Sequence, residues 1–181
     1  MNMNMNMNSI LNIAKEESFM SPMICHYGST IMKGGKPIIS GHNHYRTCYR
    51  SKNRRHFCTM FHAERDSLIK FIKICFRGKQ ITHRKMRKYN IFVTRTKEKN
   101  GIITYMKGEP CQECVKMLQK FGIRKAKYTD KDGKLVVVKI SHLNPDDHYL
   151  SYAQKDFMQE HRLTPVYRRL TQVNRSKNNA S

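Results

Sequence analysis

Apolar and polar residues follow two different periods along this chain, and the period changes several times. Apolar residues spaced three and four apart predict helices, whereas short β-branched and apolar runs bounded by turn residues predict strands. The predicted helices cover residues 9–19, with Ser9 as the cap, 62–78 and 111–122. The predicted strands cover residues 23–32, 37–41, 89–94, 123–129 and 134–140. This alternation of helices and strands is typical of an α/β fold.

Short connections determine how some of these strands pair. Two glycines lie within Lys33–Lys36, and a glycine turn between two β-like runs predicts a hairpin. The last two strands are joined by 130–133 alone, which is too short for a crossover helix, so these strands must be antiparallel. The apolar run 91–93 predicts a buried strand, and 97–107 is predicted as a loop. We therefore expect a five-stranded mixed sheet whose strands 4 and 5 form an antiparallel hairpin.

The two ends of the chain differ in character from its middle. Residues 1–8 alternate Met and Asn and offer nothing to bury, so we predict a disordered low-complexity leader. Residues 9–160 are predicted to form one domain, long enough for a core without disulfides. A helix is predicted within it over 146–160, where Tyr149 would help to cover one edge of the sheet. The basic tail, 161–181, is predicted to be disordered.

Two short motifs supply metal-binding side chains and one further carboxylate: His62-Ala63-Glu64 and Pro110-Cys111-Gln112-Glu113-Cys114. Cys111 and Cys114 are three residues apart, so on a helix they share a face. With His62 they offer three zinc ligands, and an open fourth position is typical of catalytic zinc. Zinc would make hydroxide available near neutral pH, and Glu64 would take the proton. The spacing therefore predicts hydrolytic chemistry.

Other interpretations of the same residues stay open. Cys58 precedes His62 by four residues and could close a structural site of three cysteines and one histidine, which would leave Glu64 without a task. Without a metal nearby, Glu64 would be an ordinary solvated carboxylate at the start of a helix. Cys111 and Cys114 could form a redox pair, although no thioredoxin-like strand precedes them.

The formal net charge of +22 exceeds what one nucleotide phosphate requires, and it predicts attraction to a polyanion. Residues 46–57 contain no acid and lead directly into the His62 helix, so we expect them to border the site. Aromatic residues interleave with arginines there, as in proteins that bind single-stranded nucleic acid, but a generally basic, solvated surface is the alternative. The candidate nucleic-acid contacts are Arg46, Arg50, Arg54 and Arg55.

Composition also bears on where the protein works. No apolar run approaches the roughly 20 residues that span a bilayer, and the N-terminus lacks a hydrophobic signal core, so we expect no membrane partner. Six cysteines without a secretory signal favour a reducing, intracellular and cytoplasmic location. The abundance of Asn, Lys and Ile hints at an AT-rich genome, such as a viral one, in which case the location would be the host cytoplasm or the virion.

The strand pattern and the two motifs resemble the cytidine and deoxycytidylate deaminase superfamily over roughly residues 9–140. The resemblance implies a three-layer α/β/α cytidine-deaminase-like fold and one zinc ion per chain. It makes His62, Cys111 and Cys114 the zinc ligands and Glu64 the proton shuttle. Relatives often oligomerise, so the resemblance also admits a homo-oligomer.

The same resemblance suggests substrate contacts. Asn43, in Gly41-His42-Asn43, is implied to contact the sugar or the base, and the backbone at Ala63 and Pro110 is implied to help hold the base. The alternative for Asn43 is an asparagine at a turn that hydrogen-bonds its own backbone. His42 and His44 could be further ligands, but histidines that alternate at a strand end are more often solvated.

Two features disagree about the substrate. The short connection at 130–133 favours the subgroup built like free cytidine deaminases, whereas Glu109-Pro110-Cys111 resembles transfer-RNA adenosine deaminases. From the topology we predict a zinc-dependent hydrolase that converts cytosine to uracil in a free nucleoside or nucleotide: cytidine, deoxycytidine or dCMP. One alternative is a deaminase of single-stranded RNA or DNA. Another is a basic nucleic-acid-binding protein with a deaminase fold and little turnover.

Overall fold

The computed structural model describes residues 3–48, 58–77 and 79–149, without the side chains of 3–8, 46–48 and 58–60. The first elements are α1 (Met3–Phe19), β1 (His26–Lys33), β2 (Lys36–His42), β3 (His44–Cys48), β4 (Cys58–Phe61) and α2 (Ala63–Phe71), which continues as a π-helical turn (Ile72–Phe76). The next are α3 (His83–Met86), β5 (Tyr89–Lys99), β6 (Ile102–Met106), α4 (Gln112–Phe121), β7 (Lys125–Thr129) and β8 (Leu135–Lys139). Two 3-10 turns follow, Ile140–His142 and Pro145–Asp147.

One mixed sheet organises the described residues. Its strand order is β2-β1-β5-β7-β8, and β6 pairs with the outer part of β5. The β5–β7 pair is parallel, and the other pairs in this sheet are antiparallel. The β7–β8 hairpin is therefore antiparallel, as its four-residue connection requires. The five strands predicted from the sequence are all present, and the sheet is mixed as expected.

Helices cover both faces of the sheet, because neighbouring residues of its central strands are buried on opposite sides. Met32 and Phe92 pack with Ile10 and Ala14 of α1 on one face. Ile31, Ile91 and Val93 pack on the other face with apolar residues of α2 and α4, among them Leu68, Phe71 and Leu118. Each fully buried side chain of this size stabilises the fold by about 1.5–3 kcal/mol. The fold is the predicted three-layer α/β/α arrangement.

Two glycines allow the helices to approach the sheet closely. A Cβ at Gly28 would lie 2.0 Å from the carbonyl oxygen of Ala14 in α1. A Cβ at Gly41 would lie 2.5 Å from the backbone nitrogen of Ser67 in α2. Real Cβ atoms cannot come this close, so a side chain at either position would push a helix outward. Gly41 therefore fixes α2, which carries half of the site described below, against β2.

The prediction of a loop at 97–107 is wrong. β5 continues to Lys99, and β6 folds back beside it through Asn100 and Gly101, both of which have positive φ. Asn-Gly is a strong hairpin signal, but the strands beside it lack the buried alternating residues that identify a strand. Ile102 and Ile103 are exposed, so this hairpin projects from the core.

Three further expectations need correction. α1 begins at Met3 and not at Ser9, so residues 3–8 of the predicted leader are helical; methionine is a good helix former, and the helix is anchored by its buried residues further on. β3 and β4, which form a separate two-stranded sheet, were not predicted. The predicted helix at 146–160 is absent over its first residues, where Pro145–Asp147 forms only a 3-10 turn. Its remainder lies outside the described residues.

Candidate metal centre and active site

His62 occupies the junction between β4 and α2. Its backbone is extended, and its carbonyl oxygen accepts hydrogen bonds from the amides of Arg65 and Asp66, which start the helix. The first turn of α2 is anchored to β1, because the Ser29 hydroxyl donates to the carbonyl oxygen of Ala63 at 2.7 Å. The sheet therefore determines where His62 lies.

Cys111 and Cys114 open α4 in the way that their spacing predicts. Cys111 is the extended residue before the helix, and its carbonyl oxygen accepts from the amide of Val115 at 2.9 Å. Cys114 lies in the first turn, and both cysteines are buried. The apolar face of the helix, which includes Val115 and Leu118, is buried in the core. Packing of α4 thus fixes both thiols toward His62.

The imidazole and the two sulfurs meet at distances that fit zinc. The Nδ1 atom of His62 lies 3.3 Å from the Sγ of Cys111 and 3.4 Å from the Sγ of Cys114. Tetrahedral zinc with ordinary Zn–S and Zn–N bond lengths would place such atoms about 3.6 Å apart. The three ligand atoms all lie within 4.8 Å of one another. The donor set and its spacing therefore suit a zinc ion with little rearrangement.

The site also favours the deprotonated sulfur that a metal requires. The hydrogen bond with the Cys114 thiol, supported by His62, lowers the pKa of Cys111 to about 4. The same hydrogen bond, together with burial, raises the pKa of Cys114. Burial alone would lower the pKa of His62, but Cys111 and the nearby Glu64 charge raise it overall. The centre therefore favours one thiolate, at Cys111. A bound dication would displace the protons that remain on the other two groups.

Glu64 lies in the first turn of α2, two residues after His62, and is only 4% exposed. Burial raises the pKa of its carboxyl group, against the opposing effect of His62. A carboxyl group held in this way takes up and releases protons nearer neutral pH than a solvated one, which suits general acid–base chemistry. The solvated-carboxylate interpretation of Glu64 is therefore wrong, because the side chain is buried.

Two tyrosines border the centre. The side chains of Tyr27, on β1, and Tyr149 interact closely enough that each shifts the pKa of the other. Burial raises the pKa of both hydroxyl groups, and the nearby charge of Glu64 raises each further. The charge of Cys111 also raises the pKa of Tyr149. Both hydroxyl groups therefore respond to the charge of the carboxylate; we call Tyr27 and Tyr149 the tyrosine pair.

Residues 148 and 149 form hydrogen bonds with the segment that carries Cys111. The Tyr149 hydroxyl donates to the carbonyl oxygen of Glu109 at 3.0 Å, and the Gln112 amide donates to the carbonyl oxygen of Tyr149 at 3.1 Å. The Nδ1 atom of His148 lies 3.2 Å from the carbonyl oxygen of Pro110. No sequence pattern predicts these three contacts, and the prediction for Tyr149 was that it covers an edge of the sheet.

Asn43 is buried beside β1 and braces the backbone there. Its Oδ1 accepts from the Tyr27 amide at 2.8 Å, and its Nδ2 donates to the carbonyl oxygen of Cys25 at 2.7 Å and contacts the sulfur of Met23 at 3.2 Å. In this conformation the side chain positions Tyr27. Contact of Asn43 with a substrate stays a prediction.

The other predicted contacts fall in different places. Ala63 and Pro110 are buried next to the ligands, and each carbonyl oxygen already has a partner, Ser29 and His148 respectively.

The backbone of Arg46 lies in β3, but its side chain is outside the described set, as is that of Cys58 at the start of β4. Arg50, Arg54 and Arg55 lie outside the described residues. The proposed site of three cysteines and one histidine therefore stays untested.

A second group of potential metal ligands is contributed by α1, β2 and α2. Glu17 of α1, His42 of β2 and Asp66 of α2 place their polar atoms within 4.8 Å of one another. His42 Nδ1 lies 2.7 Å from Glu17 Oε1, and the ammonium of Lys70 lies 2.7 Å from Asp66 Oδ2. His44 Nε2 is 3.6 Å from Asp66 Oδ1. His42 and His44 thus contact carboxylates of a network that contains a lysine, and neither joins the His62 group.

None of the helices in the described part of the chain is both long and apolar enough to cross a membrane.

Among solved structures, the cytidine deaminase from Burkholderia pseudomallei is 17% identical, covers 77% of this chain and 96% of its own, and superposes with a TM-score of 0.53. This likeness supports the fold. The apo dCMP deaminase from the cyanophage S-TIM5 is 22% identical over 72% of this chain and 86% of its own, with a TM-score of 0.45. No curated protein sequence matches the chain. The family model for the cytidine and deoxycytidylate deaminase zinc-binding region matches residues 4–130, and the chain therefore belongs to that deaminase family.

Proposed function

We propose that this protein is a zinc-dependent hydrolase that converts a cytosine base to uracil in a free nucleoside or nucleotide, with one zinc ion per chain. One observation carries the proposal: an imidazole and two thiols at zinc-binding distances lie beside a buried carboxylate that is not one of them. A structural site needs no such carboxylate, whereas a hydrolytic one does.

In this proposal His62, Cys111 and Cys114 hold the metal and leave one position open. When bound, zinc supplies a hydroxide nucleophile at neutral pH by lowering the pKa of water. Glu64 accepts the proton of that water, delivers a proton to the ring nitrogen, and then serves the departing amino group, which leaves as ammonia. The water oxygen bonds to the ring carbon that bears the amino group, its second proton passes by way of Glu64 to that amino group, and the carbon–nitrogen bond breaks. The oxygen becomes the new carbonyl of uracil, and water plus cytosine gives uracil plus ammonia.

The residues around the centre would hold the base and exclude water. Asn43 and the backbone at Ala63 and Pro110 are our candidates for contacts with the substrate. The hydroxyl groups of the tyrosine pair respond to the charge of Glu64, so the pair offers aromatic rings and hydroxyl groups in the surroundings of the centre. Aromatic rings stack on pyrimidines, and a site closed to water strengthens each electrostatic contact within it.

The test is ammonia release by zinc-loaded protein, with the Glu64→Gln variant as a matched control of nearly equal size. The substrates are cytidine, deoxycytidine, their monophosphates and a cytosine-containing single-stranded oligonucleotide, each at two salt concentrations. Turnover of a monomer that is lost in the control would support the proposal. Absence of turnover on every substrate would refute it and favour a nucleic-acid-binding protein that keeps the fold.

A second candidate is a deaminase that acts on single-stranded RNA or DNA. The observation in its favour is the formal net charge of +22, which attracts polynucleotides whatever their sequence. Turnover restricted to the oligonucleotide, with strong salt dependence, would establish it. Charge alone carries no information about which base is read, so we place this candidate second.

A further inference from the structure

Arg95 lies beside the tyrosine pair, close to the candidate active site. It is on β5, directly opposite Tyr27 of β1 in the antiparallel register. Its guanidinium carbon is 5.4 Å from the centroid of the Tyr27 ring, and its Nη2 donates to the sulfur of Cys25 at 3.3 Å. Tyr27 in turn interacts with Tyr149, since each of the two hydroxyl groups shifts the pKa of the other. Arg95 thus contacts Tyr27, and the tyrosine pair in turn responds to the charge of Glu64.

Among the described residues, this guanidinium lacks an acidic partner. In the described part of the chain no carboxylate lies within ion-pair distance of Arg95, although its side chain is partly buried. A guanidinium carries five N–H donors in a planar fork, and the sulfur of Cys25 is a weak acceptor. A cation withdrawn from water in this way gains most from an anion with two oxygens side by side.

A neutral nucleoside offers no such anion, whereas a phosphate group on its sugar does. We propose that Arg95 binds the phosphate of a phosphorylated cytosine substrate, with the tyrosine pair between this anion and the base. Arg95 is then a specificity-determining residue that selects nucleotides over nucleosides. The inference rests on the proposed deaminase function and narrows its substrate class. The phosphate can belong to a free monophosphate or to a polynucleotide, and the test distinguishes the two.

The first measurement is the ratio of kcat/KM for dCMP to kcat/KM for deoxycytidine. We expect the ratio to be well above one for the wild type and to fall by about tenfold to hundredfold in Arg95→Gln, the value of a charge-assisted hydrogen bond. Arg95→Lys keeps the charge but loses the fork, so its ratio should lie in between. If Arg95→Gln has the same ratio as the wild type, the proposal is wrong.

A matched control removes the same charge at a distance. Arg124 is exposed and lines a groove of about 650 Å³ together with Gly122, at the end of α4 away from Cys111. The ten residues of α4 separate the two ends by about 15 Å. Arg124→Gln should leave the ratio unchanged. An equal fall in both variants would show that general surface charge, and not Arg95, attracts the phosphate, which would overturn the proposal.

A binding measurement separates failure of this inference from failure of the proposed function. Calorimetric titration of zinc-loaded Glu64→Gln with deoxycytidine, dCMP and a single-stranded oligonucleotide needs no turnover. Tighter binding of dCMP that is lost when Arg95→Gln is added supports the inference even if no substrate is deaminated. The same loss confined to the oligonucleotide identifies the polymer as the phosphate source. If the wild type deaminates both deoxycytidine and dCMP, and the titration gives equal affinities for the two, the proposed function stands and the role of Arg95 is refuted.

Discussion

Two groups of metal-ligand residue types each include a residue at or next to the first turn of α2, and they differ in what balances their charge. His62, Cys111 and Cys114 meet without a lysine or arginine in contact among the described residues. In the second group, Glu17, His42 and Asp66, the ammonium of Lys70 already contacts Asp66 and lies 4.0 Å from Glu17. The ligand atoms are therefore close together in both groups. Only in the first group is the negative charge not already paired with a lysine, so that a metal ion can balance it.

The second group has a structural explanation that needs no ion. Glu17 belongs to α1, His42 to β2, and Asp66 and Lys70 to α2, so the network joins helices from the two outer layers through an edge of the sheet. Asp66 Oδ2 also accepts from the backbone amide of His42 at 3.2 Å. Partly buried charges that are paired and hydrogen-bonded in this way position elements rather than bind cations.

The largest effect should come from breaking the first group. Cys111→Ser replaces a thiolate ligand by a hydroxyl, so we expect zinc content to fall from about one per chain to near zero, with loss of turnover. Metal analysis of dialysed protein measures this. Cys75→Ser, which changes an exposed thiol, is the matched control and should keep the metal. Equal zinc in Cys111→Ser and the wild type would refute the ligand assignment.

A smaller but still large effect is expected when only the proton transfer is removed. Glu64→Gln should keep zinc near one per chain and cut kcat by about a hundredfold or more, because no other group is in its place. Zinc analysis and steady-state kinetics on the same sample separate this result from metal loss. A variant with wild-type turnover would show that Glu64 is not the proton shuttle.

The second group should respond in stability and not in metal content. Lys70→Met leaves Asp66 and Glu17 without their cation and should lower the free energy of unfolding by about 1–2 kcal/mol. Urea denaturation measures the change, and zinc should stay at about one per chain. Lys73→Met, at an exposed position of the π-helical turn, is the control and should change stability little. Loss of zinc in Lys70→Met would contradict the division between the two groups.

The smallest effect is expected at Cys58. If the metal centre is the catalytic one with three protein ligands, Cys58→Ser should leave the zinc content near one per chain and turnover close to that of the wild type. Metal analysis decides the matter. Loss of the ion in this variant would favour a closed structural site and would move Glu64 out of the mechanism.

Much of the fold followed from local patterns. The five strands, the β7–β8 hairpin and the helix that begins after Cys111 and ends at Gly122 each have a local cause: a run of apolar residues, a connection of four residues, or a glycine with positive φ after the last turn. The β5–β6 hairpin was missed, since β6 and the end of β5 that leads into the turn are largely exposed and lack an apolar face. Residues 3–8 were missed because their helicity depends on the anchored residues that follow.

The sequence by itself predicted the candidate ligand set, because Cys111 and Cys114 lie at the start of one helix and His62 and Glu64 at the start of another, so that a short spacing keeps each pair together. Only the tertiary structure decided which distant residues join them. Tyr27, Arg95 and Tyr149 are 54 to 122 positions apart in the chain and meet through strand pairing and a turn near residue 149. Contacts of this kind depend on register and packing across the whole domain, and no local spacing encodes them.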